Sequence, residues 1–519
     1  MKDKELKTVT LPHSPPARPS PWPWLRWVLL GVAGVALLVT VIQFEALTIK
    51  SFKKAPQSLL AGPAQAQSPL AASSPSTTPA KAVKFHKGAI GRWRYAVQQF
   101  WHGRNIYVAP GSGEAVGGDE SGQATFAPVV LHPNMPIVVL LLTPFAYMPV
   151  WLMALTFSLL KLAVLAPAVL AAERLAGDAG RPIPLWVAPV ALLCGLGYFI
   201  ADVQHGNTNI FVAAAVVGHL WLFRTGRNWS AGVMLALAVC LKMVPALFLL
   251  YWLYQRQWRV VGGLLAGLAL FGVAIPAGVL GPERFLELTG TWWTSLIGPG
   301  LVGGSWFPDQ INQSLPGMVA RFFIGDGNQF GNYLWNPDDQ LVATEHAWIT
   351  LVALGPEGAK WLLRILQVTL VLVSARAIGW RLLPRDDARR GLHYSIVCAL
   401  MLLLNQRSWD HHAGYLIVSY MALVYAIFRG QAPRGLRMTA GILVFATLGA
   451  QLLLSVDLVK LVAGQQSGAD NVVAAYGKTF WHFLAIWLAS VLLAGAMKKS
   501  PQPYQDEPAV VALAVEAGR

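Results

Sequence analysis

The sequence predicts an all-α protein that crosses a membrane many times. Of its 519 residues, 55% are hydrophobic and only 13% are charged, which is far from the composition of soluble domains. The mean hydropathy of +0.49 indicates the same class. Apolar stretches follow one another along most of the chain, many of them near the roughly 20 residues that a membrane-crossing helix needs. We therefore predict a polytopic bundle of about twelve transmembrane helices.

The basic residues lie between these stretches and indicate the orientation of the bundle. The net charge is +15, but the Lys and Arg residues are spread over short turns, so the excess does not indicate a nucleic-acid partner. Short basic turns are typical of cytoplasmic loops. Cys194, Cys240 and Cys398 all lie inside apolar stretches, where packed thiols are expected rather than a disulfide framework or a metal site.

The order of polar and apolar stretches predicts the domain organisation. No cleavable signal peptide is evident, and the first apolar run is long enough to remain as a signal anchor. An Ala/Pro/Ser/Gln-rich stretch in the first long loop is typical of a flexible linker. We predict a cytoplasmic tail at 1–23, a first transmembrane helix at 24–44, an extracytoplasmic loop at 45–149 with the linker at 55–80 and interfacial helices, transmembrane helices 2–7 at 150–280, a second long extracytoplasmic loop at 281–356, transmembrane helices 8–12 at 357–497 and a cytoplasmic tail at 498–519.

Two choices in this assignment decide the orientation of everything that follows them. Pro133–Pro149 is apolar but short and bounded by prolines, so we predict an interfacial or re-entrant helix. Trp229–Tyr254 is divided at Lys242 into a hairpin of two short helices, although each half is shorter than a usual span. With both choices the arginine-rich turns face the cytoplasm, and with only one of them those turns face outside.

The polar motifs then all lie at the extracytoplasmic ends of the helices. They are Asp202–Asn209, Lys242, Asn312–Ser314 and Ser408–His412. Polar groups gathered at one face predict a reaction site there, whereas a transport pathway tends to place them across the depth of the bilayer. We therefore predict cytoplasmic N- and C-termini and an active site that faces outside.

The turn that begins at Asp202 contains the candidate catalytic base. A carboxylate at the end of a span could accept a proton from an acceptor hydroxyl, or could coordinate a divalent cation. The polar residues after it could bind the sugar or the acceptor, or could simply satisfy exposed backbone at the interface. These residues are Gln204, His205, Asn207 and Asn209.

Basic residues near the predicted outer face are candidates for binding a lipid phosphate. Lys242 lies between two apolar segments, where an ammonium is costly unless it snorkels to the interface or meets an anion. In the first loop, Lys87, Arg92 and Arg94 alternate with aromatic residues. That pattern is typical of an interfacial helix, or of a basic shelf beneath a lipid-linked phosphate.

The second long loop supplies further candidate contacts for a sugar. Asp309, Asn312, Gln313 and Ser314 carry amide, hydroxyl and carboxylate groups that could hydrogen-bond sugar hydroxyls. The same residue types are ordinary turn formers, and a turn is the alternative interpretation.

The densest polar cluster is Ser408–His412. Trp409 could stack on a sugar ring, and Asp410 with His411 or His412 could hydrogen-bond a sugar or a phosphate. Adjacent histidines point to different faces of a helix, so a zinc pair is not expected. The alternative for Asp410 is the N-cap of a helix.

These motifs, in this order, resemble those of glycosyltransferase family 87, whose members use polyprenyl-phosphate sugars and have the GT-C fold. The resemblance runs from about Lys87 to Phe428 and rests on several motifs in register rather than on any one of them. The segments that carry it are Trp101–Tyr107, His132–Pro136 with the proline-bounded stretch that continues to Pro149, Gln204–Asn209, Leu241–Ala246, Asn312–Ser314 and Ser408–His412.

The resemblance implies a GT-C-like bundle with membrane-parallel helices in the first extracytoplasmic loop. It also implies inverting transfer of a hexose, often mannose, from a polyprenyl-phosphate donor to an extracytoplasmic glycan or glycolipid acceptor. The expected location is a bacterial-type plasma membrane, with membrane lipids as further partners and without a nucleotide sugar. No cofactor is certain, and a divalent cation remains an option.

One position departs from the family's pattern. The family places an aspartate, the expected base, early in the first external loop, and that position falls on Ala89 here. Three alternatives follow: another carboxylate folds into the site (Glu45, Glu114, Asp119 or Glu120), Asp202 acts as the base, or the protein binds or flips a lipid-linked sugar without transferring it. We predict Asp202. An ion-coupled transporter is disfavoured because the predicted spans contain few ionisable groups near their centres.

Overall fold

The structure is a computed structural model that describes most of the chain. The described residues are 23–54, 89–107, 132–178, 183–298, 306–324, 333–335, 341–343, 349–463 and 469–497. Lys87 lies outside them, as do Glu114, Asp119, Glu120, the linker at 55–80 and both tails.

The described residues form helices almost throughout. The helices are α1 (Pro23–Lys54), α2 (Ala89–Trp101), α3 (Pro136–Ala146), α4 (Val150–Leu175), α5 (Val187–His205), α6 (Asn209–Arg224), α7 (Asn228–Leu241), α8 (Leu247–Tyr254), α9 (Trp258–Leu268), α10 (Ile275–Leu280), α11 (Pro282–Trp292), α12 (Leu315–Val319), α13 (Gly355–Ile378), α14 (Arg389–Leu403), α15 (Ile417–Arg429), α16 (Arg434–Leu453), α17 (Val456–Ala463), α18 (Ala469–Ala475) and α19 (Lys478–Ala496). Turns of 3-10 or π-helix extend several of them, at Val244–Ala246, Ala269–Ala274, Trp293–Ile297, Ala320–Ile324 and Asp410–Leu416. One small antiparallel hairpin pairs β1 (Tyr333–Trp335) with β2 (Leu341–Ala343).

The helix lengths confirm a polytopic, all-α membrane class. Within the described residues, eight helical segments are long and apolar enough to cross a bilayer, and five shorter apolar helices accompany them. The count of about twelve spans stays a prediction, because it requires several of the shorter helices to cross as well. The first helix differs from the sequence-based expectation, since α1 continues to Lys54 rather than ending near Phe44.

The chain reverses at Lys242, where the sequence predicted a break. Helix α7 ends at Leu241, Lys242 has an extended backbone conformation, and the helix resumes only after Pro245. Ring contacts pair His219 with Phe248 and Phe223 with Trp252, at 4.7 and 4.5 Å, so α8 runs in the same direction as α6. Helix α8 therefore returns the chain towards the end at which α7 began.

Helices α7 and α9 consequently run parallel, and glycines bring them together. A Cβ on Gly263 would lie 2.3 Å from the Trp229 carbonyl oxygen, and one on Gly232 would lie 2.2 Å from the Val260 carbonyl oxygen. The backbones of the two helices thus touch without intervening side chains. Small residues at helix interfaces permit this close packing in membranes. The contact fixes α7, at whose end Lys242 lies.

The first loop packs over the α5–α6 turn. Gly206 has φ +61° and ends α5, and a Cβ there would lie 2.8 Å from Cβ of Ile90. The indole Nε1 of Trp93 donates a 3.1 Å hydrogen bond to the Gly206 carbonyl. Only glycine combines this left-handed conformation with such a close neighbour at little cost. Helix α2 is therefore seated directly above the turn that carries Asp202.

Candidate functional site

Asp202 is held in a buried ion pair. Nζ of Lys161, in the middle of α4, lies 2.9 Å from Asp202 Oδ2 and also donates to the Asp202 carbonyl at 2.8 Å. Each side chain is only 1% exposed. A buried carboxylate is costly unless it is paired and hydrogen-bonded, and Lys161 provides the pairing.

The same carboxylate caps helix α6. Asp202 Oδ1 accepts hydrogen bonds from the backbone amide of Asn209 at 3.2 Å and from its side-chain amide at 2.9 Å. Oδ2 accepts one from the amide of Ile210 at 3.3 Å. These amides belong to the first turn of α6, which would otherwise lack partners. Both oxygens of Asp202 are thus bonded to protein donors.

Lys242 is connected to this pair through Asn209. The ammonium donates a 2.8 Å hydrogen bond to Oδ1 of Asn209, whose amide group bonds Asp202. Lys161, Asp202, Asn209 and Lys242 therefore form one chain of hydrogen bonds across four segments. Burial lowers the pKa of Lys242 to about 7, although the negative charge of Asp202 acts in the opposite direction. No described carboxylate forms an ion pair with Lys242.

The histidines of the last motif lie beside the α5–α6 turn, and the charge of Lys242 acts on both of them. The ring of His411 is 4.5 Å from that of His205 and 4.6 Å from that of His412. His412 Nδ1 accepts a 3.2 Å hydrogen bond from the Trp409 amide, and the two rings stack at 5.7 Å. Nε2 of His411 is buried and has no hydrogen-bond partner among the described residues. Buried polar atoms are nearly always partnered, so this nitrogen is a candidate ligand contact.

Asp410 begins the 3-10 turn but does not cap it. The N-cap residue is Trp409, and no side-chain capping hydrogen bond is present, so the N-cap alternative for Asp410 is wrong. The Asp410 side chain is partly exposed. Its negative charge acts on the side chain of His205, whose ring lies 4.5 Å from that of His411.

Asp309 and Arg407 join the second long loop to the same cluster. Arg407 lies 3.3 Å from Asp309 Oδ2, and its guanidinium is 4.5 Å from the centre of the Trp409 ring. On its other side the guanidinium lies 5.4 Å from the ring of Phe307. Burial raises the pKa of Asp309 despite the neighbouring charge of Arg407. Oδ2 of Asp309 therefore orients Arg407, whereas its Oδ1 is buried and has no hydrogen-bond partner among the described residues.

Asn312, Gln313 and Ser314 connect three loops behind the cluster. Asn312 donates to the carbonyls of Phe307 and Gln406 and accepts from the amides of Ser314 and Ser408. Ser314 caps α12 by accepting from Gly317 and donates to Gln406. Gln313 accepts from the amides of Thr479 and Phe480 in the first turn of α19 and donates to two carbonyls. All three side chains are buried, and their role in sugar binding stays a prediction.

The first loop contributes Arg92, but Arg94 points elsewhere. The charge of Arg92 acts on Arg407 and on His132, and burial lowers the pKa of His132 to about 3. No described carboxylate forms an ion pair with Arg92. Arg94 instead lies 3.9 Å from the sulfur of Met153 on α4. The charge of Arg92 therefore acts on residues of the cluster, and a basic shelf beneath a lipid phosphate stays a prediction.

Three polar residues of the α5–α6 turn differ in their accessibility. Gln204 and His205 are exposed, whereas the Asn207 side chain accepts a 2.8 Å hydrogen bond from the next backbone amide. Asn209 is buried, as described above. Gln204 and His205 are consequently the members of this turn that a ligand could reach.

Lys161 and Arg407 were not predicted as site residues. Lys161 is an isolated lysine within an apolar helix, and a lone ionisable residue in such a helix usually has a functional or pairing role. An ionisable residue inside an apolar helix is therefore the sequence signal that could have identified Lys161 as a site residue. Arg407 stands directly before the Ser408–His412 motif, and nothing in the local pattern indicates its contact with Asp309. Among the described residues, no three His, Cys, Asp or Glu side chains converge as a metal site would need.

Comparisons with known proteins identify the family of the chain. Residues 134–405 match the sequence profile of Glycosyltransferase family 87. A polyprenol-phosphate-mannose-dependent alpha-(1-2)-phosphatidylinositol mannoside mannosyltransferase of Mycobacterium tuberculosis is 26% identical over 305 residues, which are 56% of this chain and 60% of the relative. A pentamannoside mannosyltransferase of Mycolicibacterium smegmatis, also polyprenol-phosphate-mannose-dependent, is 27% identical over 62% of this chain and 67% of the relative. The chain thus spans about 60% of the length of the first relative. No match to a solved structure was found.

Proposed function

Because the chain belongs to glycosyltransferase family 87, we propose that it transfers a hexose, mannose foremost, from a polyprenyl phosphate to an extracytoplasmic glycan or glycolipid acceptor. The names of the relatives support the donor and a phosphatidylinositol mannoside as the acceptor class. The acceptor hydroxyl attacks the anomeric carbon from the side opposite to the phosphate, so the configuration inverts.

The observation that carries this proposal is a group of cations without acidic partners. Lys242 and Arg92 form no ion pair with a described carboxylate, and His411 has a buried nitrogen without a partner. A phosphate placed among them would supply the missing negative charge. Cations aimed at a departing phosphate stabilise the charge that develops as the glycosidic bond breaks. His412, which stacks on Trp409, completes this side of the site.

The sugar and the acceptor would lie on the accessible side of the same cluster. Trp409 has a partly exposed ring, and Gln204 and His205 are exposed at the neighbouring turn. An aromatic ring offers a flat apolar face to a sugar, and amides with imidazoles hydrogen-bond its hydroxyls.

The sequence-based prediction gives the role of base to Asp202. Because both of its oxygens accept hydrogen bonds from protein groups, Asp202 would have to release Lys161 or the amides of α6 before it took up a proton. The proposed function requires Asp202 in either case, since it also holds Asn209 against Lys242.

A transfer assay in reconstituted membranes tests the proposed function. The full-length protein is given radiolabelled polyprenyl-phosphate mannose and, in parallel, the glucose and galactose donors, with phosphatidylinositol mannosides as acceptors. We expect the wild type to transfer mannose and the Lys242→Ala variant to transfer none. The exposed Lys360→Ala is the matched control, because it removes a lysine whose only recorded partner is the exposed Glu357. Absence of transfer from every donor would refute the proposal.

The location of the site at the outer face is part of the proposal. The agreement of the arginine-rich turns with cytoplasmic loops supports it. Single cysteines at Asn207 and Trp409, in a background without the native thiols, should react with an impermeant maleimide added outside. Reaction only from the cytoplasmic side would refute this orientation and the extracytoplasmic reaction with it.

A second candidate function is binding or flipping of a lipid-linked sugar without transfer. One observation favours it: Ala89 stands at the position where the family has its base, and residues 89–107 contain no carboxylate. This candidate predicts saturable binding of polyprenyl-phosphate mannose with no product for any acceptor. Detection of a mannosylated product excludes it.

A further inference from the structure

We propose that Asp410 is the carboxylate that takes the proton of the acceptor hydroxyl, and that Asp202 and Lys161 are positioning residues for Lys242. This assignment rests on the proposed function, because it names the base of that same transfer.

The assignment follows first from the contacts of the three aspartates at the site. Asp202 is paired with Lys161 and bonded to the amides of α6. Asp309 is paired with Arg407 through Oδ2, and its Oδ1, although it has no hydrogen-bond partner among the described residues, belongs to a residue that is only 3% exposed. None of the hydrogen bonds and ion pairs recorded among the described residues uses the Asp410 carboxylate. It is therefore the aspartate of the cluster whose oxygens are open to a substrate hydroxyl.

The position of Asp410 supports the assignment independently. It is partly exposed, and its neighbours in the chain are Trp409, the candidate sugar platform, and His411, the candidate phosphate contact. The charge of Lys242 acts on both His411 and His412. With the phosphate at Lys242 and His411 and the sugar on Trp409, the acceptor hydroxyl would lie on the side of the cluster to which Asp410 belongs.

The transfer balances with Asp410 in this role. The acceptor oxygen forms a bond to the anomeric carbon as the bond from that carbon to the phosphate oxygen breaks. The bonding electron pair leaves with polyprenyl phosphate, and the acceptor proton moves to the Asp410 carboxylate. Release of that proton to water after product departure restores the carboxylate. No oxidant, reductant or further reactant is required.

Asp202 then acts on the reaction through Lys242. Its Oδ1 holds the Asn209 amide so that Oδ1 of Asn209 faces the Lys242 ammonium. Lys161 neutralises Asp202, which leaves the charge of Lys242 available to a phosphate. The two aspartates therefore have distinct expected phenotypes: loss of turnover for Asp410, and loss of donor affinity for Asp202.

The test measures turnover and binding separately in four proteins: the wild type, Asp410→Asn, Asp202→Asn and the exposed control Asp457→Asn. Turnover is transfer of mannose from polyprenyl-phosphate mannose to a phosphatidylinositol mannoside. Binding is quenching of tryptophan fluorescence by polyprenyl phosphate, the leaving group. We expect Asp410→Asn to lose about 100- to 10,000-fold in turnover, as general bases contribute, with binding unchanged. Asp202→Asn should weaken binding at least tenfold, and Asp457→Asn should change neither.

Several outcomes would overturn the assignment. A turnover of Asp410→Asn within threefold of wild type would overturn it. A loss of polyprenyl-phosphate binding in parallel with the loss of turnover would also overturn it, because that pattern indicates a positioning role. If Asp410→Asn does not fold, the pair Asp410→Glu and Asp410→Ser decides. Asp410→Glu should keep measurable turnover and Asp410→Ser should have none. Equal turnover of these two variants overturns the assignment. A wild type that transfers from no donor refutes the proposed function itself, which is a different result from an active wild type with an active Asp410→Asn.

Discussion

The buried pair of Lys161 and Asp202 gives the sharpest prediction about stability. Lys161→Met replaces the ammonium by an apolar group of similar length and leaves the Asp202 carboxyl group without its cationic partner at a site where it is 1% exposed. Removing one partner of a buried ion pair costs about 3–5 kcal/mol, because the remaining charge has lost its compensation. Asp202 keeps its three hydrogen bonds from α6, which places the expected loss at the lower end, about 3 kcal/mol.

The double variant separates loss of charge balance from loss of packing. In Lys161→Met with Asp202→Asn no uncompensated charge remains, and the asparagine can still accept from the amides of α6. We expect the double variant to be more stable than either single variant, with a coupling free energy above about 1 kcal/mol. The measurement is reversible unfolding in a detergent titration, with helix content followed by circular dichroism. Additive losses, or a Lys161→Met protein as stable as the wild type, would refute the reasoning.

Three further predictions concern other parts of the site. Burial lowers the pKa of Lys242 to about 7, and in the proposed complex its ammonium form binds the phosphate. Affinity for polyprenyl phosphate should therefore fall as the pH rises from 6 to 8.5, and Lys242→Arg should remove that dependence; a flat wild-type profile contradicts the prediction. Gly206→Ala should destabilise the protein by about 1–3 kcal/mol, since it adds a side chain at φ +61° and 2.8 Å from Ile90, whereas Gly197→Ala, with open space around it, should be neutral. Gln313→Leu should cost about 1–3 kcal/mol by leaving the amides of Thr479 and Phe480 in α19 without an acceptor, measured as a lower unfolding midpoint than wild type.

The features that the sequence predicted correctly have strong local causes. The break at Lys242 follows from a lysine and a proline inside an apolar run, which no continuous span accommodates well. The short helix α3 lies within the prolines that were expected to bound it. Asp202, Lys242, Asp309 and the histidines come together because they all lie at helix ends on one side of the bundle.

The features that the sequence did not predict depend on contacts between distant segments. The partner of Asp202 is 41 residues earlier in the chain, and the partner of Asp309 is Arg407. Nothing in the Asn312–Ser314 motif indicates that its groups are used between loops rather than for a ligand. A motif identifies the chemical groups that are present, whereas their availability depends on which neighbours the fold brings to them.

The contact between α7 and α9 has a consequence for how a lipid carrier could arrive. Gly232, Gly263 and Gly267 each lie too close to the opposite helix for even one added methyl group. A prenyl chain is far wider than a methyl group and cannot lie in that seam. If the proposed donor binds at Lys242, its long tail reaches that residue along a different flank of the bundle, because the seam between α7 and α9 is closed to it.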